Sequence, residues 1–365
     1  MNIRPVPDPA FATAILQWYD ERATPLPWRG SRDPYRIWLS EVMLQQTRIA
    51  TVKEYYPRFL TRFPTLEALA QASLDEVLKA WEGLGYYSRA RNLHRLAQVV
   101  VNERQGQFPT TPEALQQLPG IGRYTAAAIA SIAFGAQAAV LDGNVIRVLT
   151  RLLDLPDEIG APRVEQRLWD LAEALLPTER SGDYNQALMD LGRLLCVPRR
   201  PACAQCPAQT FCAAYANGTQ LLRPVKKKKA PLPIVRAAAA VIRDAEGRLL
   251  LVQRPSEGLL GGLWMLPGGN CETEETSADC LRRVLSQAFQ LKVDVGEEMA
   301  ATTQDFTHFR LHLRAFGCKL QSPAPVLRAN FAWASVENLS QFSMGKAERQ
   351  LIAALDTWQP RLFAE

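Results

Sequence analysis

The run from Leu118 to Asn144, LPGIGRYTAAAIASIAFGAQAAVLDGN, constrains this chain most. A Pro-Gly-Ile-Gly turn opens a helix of small residues, and the next acidic residue is Asp142. Gly120 and Gly122 let backbone N–H groups approach a phosphate at a helix N-terminus, where the dipole favours anions. Asp142 follows an apolar run in a Leu-Asp-Gly-Asn turn, an awkward place for a merely solvated carboxylate. A phosphate cradle followed by a carboxylate suits a protein that grips a nucleic-acid backbone and acts on one nucleotide. A plain helix hairpin with a capping Asp fits the same letters equally well, because short glycine motifs match often by chance.

Four of the seven cysteines crowd into Cys196-x6-Cys203-x2-Cys206-x5-Cys212. The opening MNIRPVPDPAFATAIL lacks the basic-then-apolar layout of a secretion signal, and no apolar run approaches the roughly 18 residues of a membrane span. An intracellular, non-membrane protein is expected, and in that setting a metal site is preferred to a disulfide framework. Four thiolates can surround a tetrahedral zinc or a [4Fe–4S] cubane. Zinc knuckles usually pair two short Cys-x-x-Cys units. Here there is one, and the wider loops suit the cubane, with Arg193, Arg199 and Arg200 nearby for a DNA backbone.

From Phe11 to about Asn217, apolar residues recur at three- and four-residue spacing, for example in IWLSEVMLQQT, LDEVLKAWEGL and VEQRLWDLAEALL. That predicts an all-α domain over 1–218 carrying the cysteine loop at 196–212. Residues 219–233, TQLLRPVKKKKAPLP, predict an extended basic linker. Beyond it, VRAAAAVIRDAEGRLLLVQRP reads as strand, turn, strand; GLWMLPGG as a strand ending in a glycine turn; TSADCLRRVLSQAF as one helix; THFRLHLRAFGCKL as a strand. An α+β domain is expected over 234–365. Residues 1–229 hold 28 of the 42 Lys and Arg and 22 of the 37 Asp and Glu, a net of +6, whereas the rest nets −1. The basic excess lies where a nucleic-acid footprint would be wanted.

With LPGIGRYTA, LDGNV and the cysteine array together, the chain resembles the helix-hairpin-helix DNA glycosylase superfamily. LPWR (26–29), WLSEVMLQQTR (38–48) and GLGYYSRARNL (83–93) resemble the MutY adenine glycosylases within it. The resemblance implies a [4Fe–4S] cluster on Cys196, Cys203, Cys206 and Cys212. It implies double-stranded DNA containing adenine opposite 8-oxoguanine or guanine as the partner, bound by a monomer. One position separates this family from endonuclease III, a bifunctional glycosylase and lyase for oxidised pyrimidines. There a lysine follows the hairpin Gly-Arg and attacks the sugar as a Schiff-base nucleophile. Here Tyr124 stands in its place, and a phenol forms no Schiff base, so a monofunctional enzyme is expected.

Glu41 sits among Leu39, Val42 and Met43, where burial favours the protonated form. Adenine is a poor anionic leaving group and must be protonated, while the departing sugar becomes oxocarbenium-like and wants a nearby anion. By resemblance Glu41 is the acid and Asp142 the stabilising carboxylate, supported by Tyr124 and Asn144. A base inside a duplex must also be flipped and its place held. By resemblance Gln46, Thr47, Leu84 and Tyr86 probe or intercalate, and Trp28 and Arg29 rim the adenine pocket. Gly120 and Gly122 hold the backbone.

The second domain resembles a Nudix fold whose metal helix is damaged. The Nudix Arg-Glu-apolar-x-Glu-Glu becomes Arg283-Val284-Leu285-Ser286-Gln287-Ala288, without the carboxylates that hold Mg²⁺. It is read as a recognition module, and Phe306-Thr307-His308 stands where the family's Phe-Ser-His loop inspects 8-oxoguanine. Competing readings are an endonuclease III-like lyase, a lesion-binding protein without catalysis, and a nucleotide hydrolase.

Overall fold

A computed structural model of the chain describes residues 6–227, 230–321 and 329–355. Lys228 and Lys229 of the expected linker lie outside them, as do 322–328 and 356–365 of the expected second domain. The helices are α1 (Pro9–Arg22), α2 (Pro34–Leu44), α3 (Ile49–Arg62), α4 (Leu66–Gln71), α5 (Leu74–Trp81), α6 (Ser88–Arg104), α7 (Pro112–Leu115), α8 (Arg123–Phe134), α9 (Gly143–Leu152), α10 (Pro162–Ala174), α11 (Ser181–Leu194), α12 (Ala213–Ala216), α13 (Ser277–Val284) and α14 (Lys346–Leu355). The strands are β1 (Ile234–Val241), β2 (Leu249–Gln253), β3 (Trp264–Met265), β4 (Gly268–Asn270), β5 (Val293–Asp305), β6 (Arg310–Leu320) and β7 (Phe331–Ala334).

Two compact units result. One comprises Met1–Gln71 with Asn92–Lys229, the other Ala72–Arg91 with Ala230–Glu365. The helical segment 72–91, read from sequence as part of the first domain, therefore packs with the second. Arg91 donates to the carbonyls of Gly258 and Gly261 at 2.9 and 3.0 Å. Arg349 pairs with Glu82 at 2.6 Å, and the Tyr87 hydroxyl donates to the Met344 carbonyl at 3.2 Å.

In the first unit, Asp8-Pro9 and Asp33-Pro34 start α1 and α2. Each Asp accepts an N–H of the first turn, and Pro supplies a φ already suited to N1. The small residues of α8 have a packing reason. A Cβ on Gly182 of α11 would lie 2.5 Å from the Ser131 carbonyl oxygen, so the two helices meet backbone to backbone. Likewise a Cβ on Gly192 would lie 2.7 Å from Asn144 Cβ, which brings α11 hard against the start of α9. Part of the expected free linker is folded onto this unit. Thr219 donates to Asp154 at 2.6 Å, Arg223 pairs with Asp154 at 2.9 Å, and the Ile159 N–H donates to the Val225 carbonyl at 2.9 Å.

In the second unit, one sheet has the order β4-β1-β6-β5, with β1 parallel to β6, and the other has the order β3-β2-β7. The expected strand-turn-strand is therefore no simple hairpin, because β1 and β2 belong to different sheets. Ala237, Ala239 and Val241 face the core that includes Leu351 of α14, while Ala238 and Ala240 face the core that includes Leu281 of α13. A strand buried on both faces reads as a continuous apolar run, which hides its alternation. GLWMLPGG does not form one strand either. Pro267 breaks it into β3 and β4, one in each sheet. The expected single helix 276–289 is α-helical through Val284 and then widens into a π-helical turn, Leu285–Phe289. Strand β5, with a register shift between Val295 and Ala300, had no alternation that marked it in advance.

Candidate active site

Glu41 lies on α2 and is 6 % exposed. The Tyr124 hydroxyl, from the first turn of α8, donates to Glu41 Oε2 at 2.7 Å. Asp142 is indeed the N-cap of α9, and it also faces the same cavity as Glu41. It accepts the backbone N–H groups of Asn144 and Val145 at 2.9 and 2.7 Å and the Asn144 side-chain amide at 2.9 Å. Arg147 in turn donates to Asn144 Oδ1 at 2.9 Å.

Burial pushes the pKa of Glu41 up, opposed by the Tyr124 hydrogen bond and the Arg29 charge. Burial also raises Asp142, opposed by its three N–H donors and by Arg147. The carboxylate with three donors holds its negative charge more readily than the one with a single phenol, because donors stabilise the ionised form. Tyr124 is raised well above a free phenol by burial and by the two neighbouring carboxylates, so it stays protonated and can only donate.

The cavity has a volume of about 390 Å³. That is within the usual range for a small-molecule pocket. Glu41, Tyr124, Asp142, Asn144, Trp28, Arg29, Gln46 and Thr47 all line it, and no lysine is among its lining residues. Trp28 is buried edge-to-face against Tyr56, with ring centroids 5.6 Å apart. Arg29 donates to the Tyr19 hydroxyl at 3.0 Å and to Asp190 at 3.2 Å.

Sequence reading missed one wall. Gln186, Met189, Asp190 and Arg193 of α11 line the cavity. Their polar members recur at i, i+4 and i+7 along one face of α11, which was the available signal. Arg193, expected beside the DNA backbone, is instead committed to Asp190 and to Thr24 at 3.0 Å. Arg199 and Arg200 are exposed.

Gly120 has φ +76°, and a Cβ there would meet Asn92 at 2.7 Å, so glycine is required. Gly122 caps α8 with open space where a side chain would be, which leaves its N-terminal amides approachable. Gln46 and Tyr86 both hold left-handed backbone, with φ 60° and 49°. Such strain in a non-glycine residue persists where the surroundings impose it and clusters at functional turns.

Within the second unit, Tyr86 is 48 % exposed and Leu84 is buried. Arg89 frames this turn, donating to the Leu84 and Gly85 carbonyls at 3.1 and 3.0 Å beneath the Tyr86 ring. Phe306, Thr307 and His308 form the tip between β5 and β6. Phe306 stacks on Phe309 at 4.7 Å, leaving Thr307 and His308 exposed. Thr307 Oγ1 lies 3.2 Å from the Tyr86 hydroxyl, so two turns more than two hundred residues apart in sequence meet.

Cys196, Cys203, Cys206 and Cys212 line a second small cavity, and Cys212 caps α12. Among the described residues, no three of these sulfurs lie within 4.8 Å of one another. A tetrahedral zinc requires sulfurs about 3.8 Å apart, given Zn–S bonds of about 2.3 Å. Four thiols converging on one cavity at a spacing wider than this are a donor set that could hold a metal cluster. Arg151, 2 % exposed, donates to the carbonyls of Cys196, Val197, Pro198 and Arg223 and to Cys196 Sγ at 3.2 Å. A buried guanidinium needs an anion nearby, and the cysteines, as metal-bound thiolates, would supply one. No helix among the described residues is long and apolar enough to cross a membrane.

Residues 39–174 match the family model of the HhH-GPD superfamily base excision DNA repair proteins, and residues 238–354 match the NUDIX domain. A solved structure described as a thermostable thymine-DNA glycosylase superposes with a TM-score of 0.51 at 34 % identity, covering 57 % of this chain and 95 % of that one. The helical unit is thus that of a base excision repair glycosylase. Adenine DNA glycosylase of Homo sapiens is 36 % identical across 96 % of this chain and 75 % of its own length. That of Buchnera aphidicola subsp. Schizaphis graminum is 33 % identical across 83 % and 86 %. The chain belongs to the adenine DNA glycosylase family.

Proposed function

We propose that this chain is a monofunctional DNA glycosylase that hydrolyses the N-glycosidic bond of adenine mispaired with 8-oxoguanine or guanine, as an intracellular monomer on double-stranded DNA. The observation that carries the reading is the shared cavity: Glu41, Tyr124 and Asp142 line it and no lysine does. Glu41 donates its proton to the extruded adenine, at N7, and makes the base a neutral leaving group. Tyr124 holds the Glu41 oxygen in place. Asp142 faces the sugar as cationic character develops, and Asn144 fixes the Asp142 carboxylate. A water oxygen then bonds to the sugar C1′, its proton passes to the Glu41 carboxylate that the first step left ionised, and an abasic site remains. Trp28 and Arg29 bound the base. Gln46, Thr47, Leu84 and Tyr86 act at the flipped-out position, with the α8 amides behind Gly120 and Gly122 on the backbone phosphate.

The four loop cysteines hold a [4Fe–4S] cluster, with Arg151 donating to one ligand sulfur, and iron and acid-labile sulfide counts decide it. Domain limits of 1–218, 219–233 and 234–365 describe family architecture along the chain, although segment 72–91 packs with the later one.

Incubation with an A:8-oxoguanine duplex tests the reading. Strand scission appears only after alkali, and borohydride traps no covalent adduct. A robust borohydride adduct would instead support an endonuclease III-like lyase.

The Phe306-Thr307-His308 tip reads the partner base together with Tyr86. Tyr86→Phe and Thr307→Val each remove one end of their hydrogen bond while keeping shape. Each lowers the preference for A:8-oxoguanine over A:G about two- to tenfold, the scale of a single hydrogen bond. The double variant costs no more than either single one. Fully additive losses would show that the two hydroxyls act separately.

A further inference from the structure

We propose that Cys271, Glu275 and Cys280 form a site for one zinc ion at the head of α13, separate from the cysteine loop of the helical unit. Among the described residues, this is the set of three metal-ligating side chains whose ligand atoms all lie within 4.8 Å of one another. Tetrahedral zinc wants sulfur–sulfur spacings of about 3.8 Å, so the set closes around an ion with shifts of about 1 Å.

The ligands come from different, well-anchored places. Cys271 leaves β4 with its N–H donated to the Arg236 carbonyl at 2.8 Å. Cys280 is fully buried on α13. Glu275 is oriented in advance, because Arg283 donates to its two oxygens at 2.8 and 2.7 Å, and the Glu272 N–H donates at 2.8 Å. Two thiolates and one carboxylate carry three negative charges. A zinc ion and the Arg283 guanidinium carry three positive ones, so the loaded site is neutral. Cys271 and Glu275 are only half-buried, which leaves the fourth coordination position open to water.

Sulfur donors select a soft ion and reject Mg²⁺, which demands oxygen ligands in octahedral array. The same helix that carries no Mg²⁺ carboxylates at Val284, Ser286, Gln287 and Ala288 thus has a softer ligand set at its other end. Bound zinc pins the exit of β4 to the first turn of α13.

The test uses the full chain, kept reduced, exposed to Zn²⁺ and then desalted, with zinc and iron counted together and iodoacetamide alkylation followed by peptide mass spectrometry. The parent retains about one zinc per chain with unchanged iron. Cys271→Ser retains less than a tenth of that. Arg283→Gln weakens binding about tenfold, as loss of a group that orients a ligand does. In the parent itself, Zn²⁺ but not Mg²⁺ slows alkylation of Cys271, a reading that needs no variant to fold. Equal zinc in parent and Cys271→Ser overturns the proposal. So does alkylation indifferent to Zn²⁺, or recovery of Cys271 and Cys280 as a disulfide with no zinc bound.

Discussion

Glu41→Gln loses adenine excision by at least about 10² and up to about 10⁴, while duplex binding persists. Gln keeps the shape of Glu41 and still accepts the Tyr124 hydroxyl, but it has no acidic proton to give. Parent excision also falls as pH rises through the elevated Glu41 pKa, because the donor form is lost. A second readout separates the chemistry from the fold. A carboxylate whose folded pKa is raised stabilises the fold only below its unfolded pKa, and that contribution fades as pH climbs to the folded value. Glu41→Gln removes the cost of burying this charge. Its unfolding free energy therefore exceeds the parent's at neutral pH, by about 1.4 kcal/mol for each pH unit of elevation, and the gap closes in acid. A variant that excises at the parental rate removes Glu41 from the acid role; a gap that does not close in acid contradicts the raised pKa.

Asp142→Asn loses about 10²–10³ in single-turnover excision, the scale of one electrostatic contact to a transition state. This substitution isolates charge unusually well. Asp142 is the N-cap of α9, and Asn caps a helix about as well as Asp. The cap is therefore kept, and because burial raises the Asp142 pKa, the unfolding temperature stays at or above the parent's at neutral pH. Excision near the parental rate would show that the carboxylate serves α9 alone. A large drop in stability would show that the N–H cluster needs the negative charge to hold together.

The helical unit was legible because two signals agreed. Apolar spacing marked the helices, and Asp-Pro pairs marked the starts of α1 and α2. The site was legible mainly through resemblance. On spacing alone Glu41 was a carboxylate among apolar residues and Asp142 fitted a helix cap, and only three-dimensional convergence brings them to one cavity. Gln186 and Asp190 of the α11 wall were overlooked because they match no short motif, and Arg193 was read as a DNA-backbone contact, although their helical spacing was in plain view. Arg151 was overlooked because a lone Arg inside a helix says nothing of the carbonyls and thiol it will meet. In the second unit, residue pattern found the strands but not their sheets. Four successive alanines in β1 look the same whether a strand is covered on one face or two.

The excursion at 72–91 has a consequence for biosynthesis. Its packing partners begin at Ala230, so roughly 140 residues must be made before they leave the ribosome. At about 5–20 residues per second, that is roughly seven to thirty seconds. During that interval Leu78, whose side chain meets Gly262 in the finished fold, has not yet gained that partner. The protein is thus exposed to chaperone capture and proteolytic nicking in the middle of its first half, rather than at the lysine-rich junction where a linear view would look.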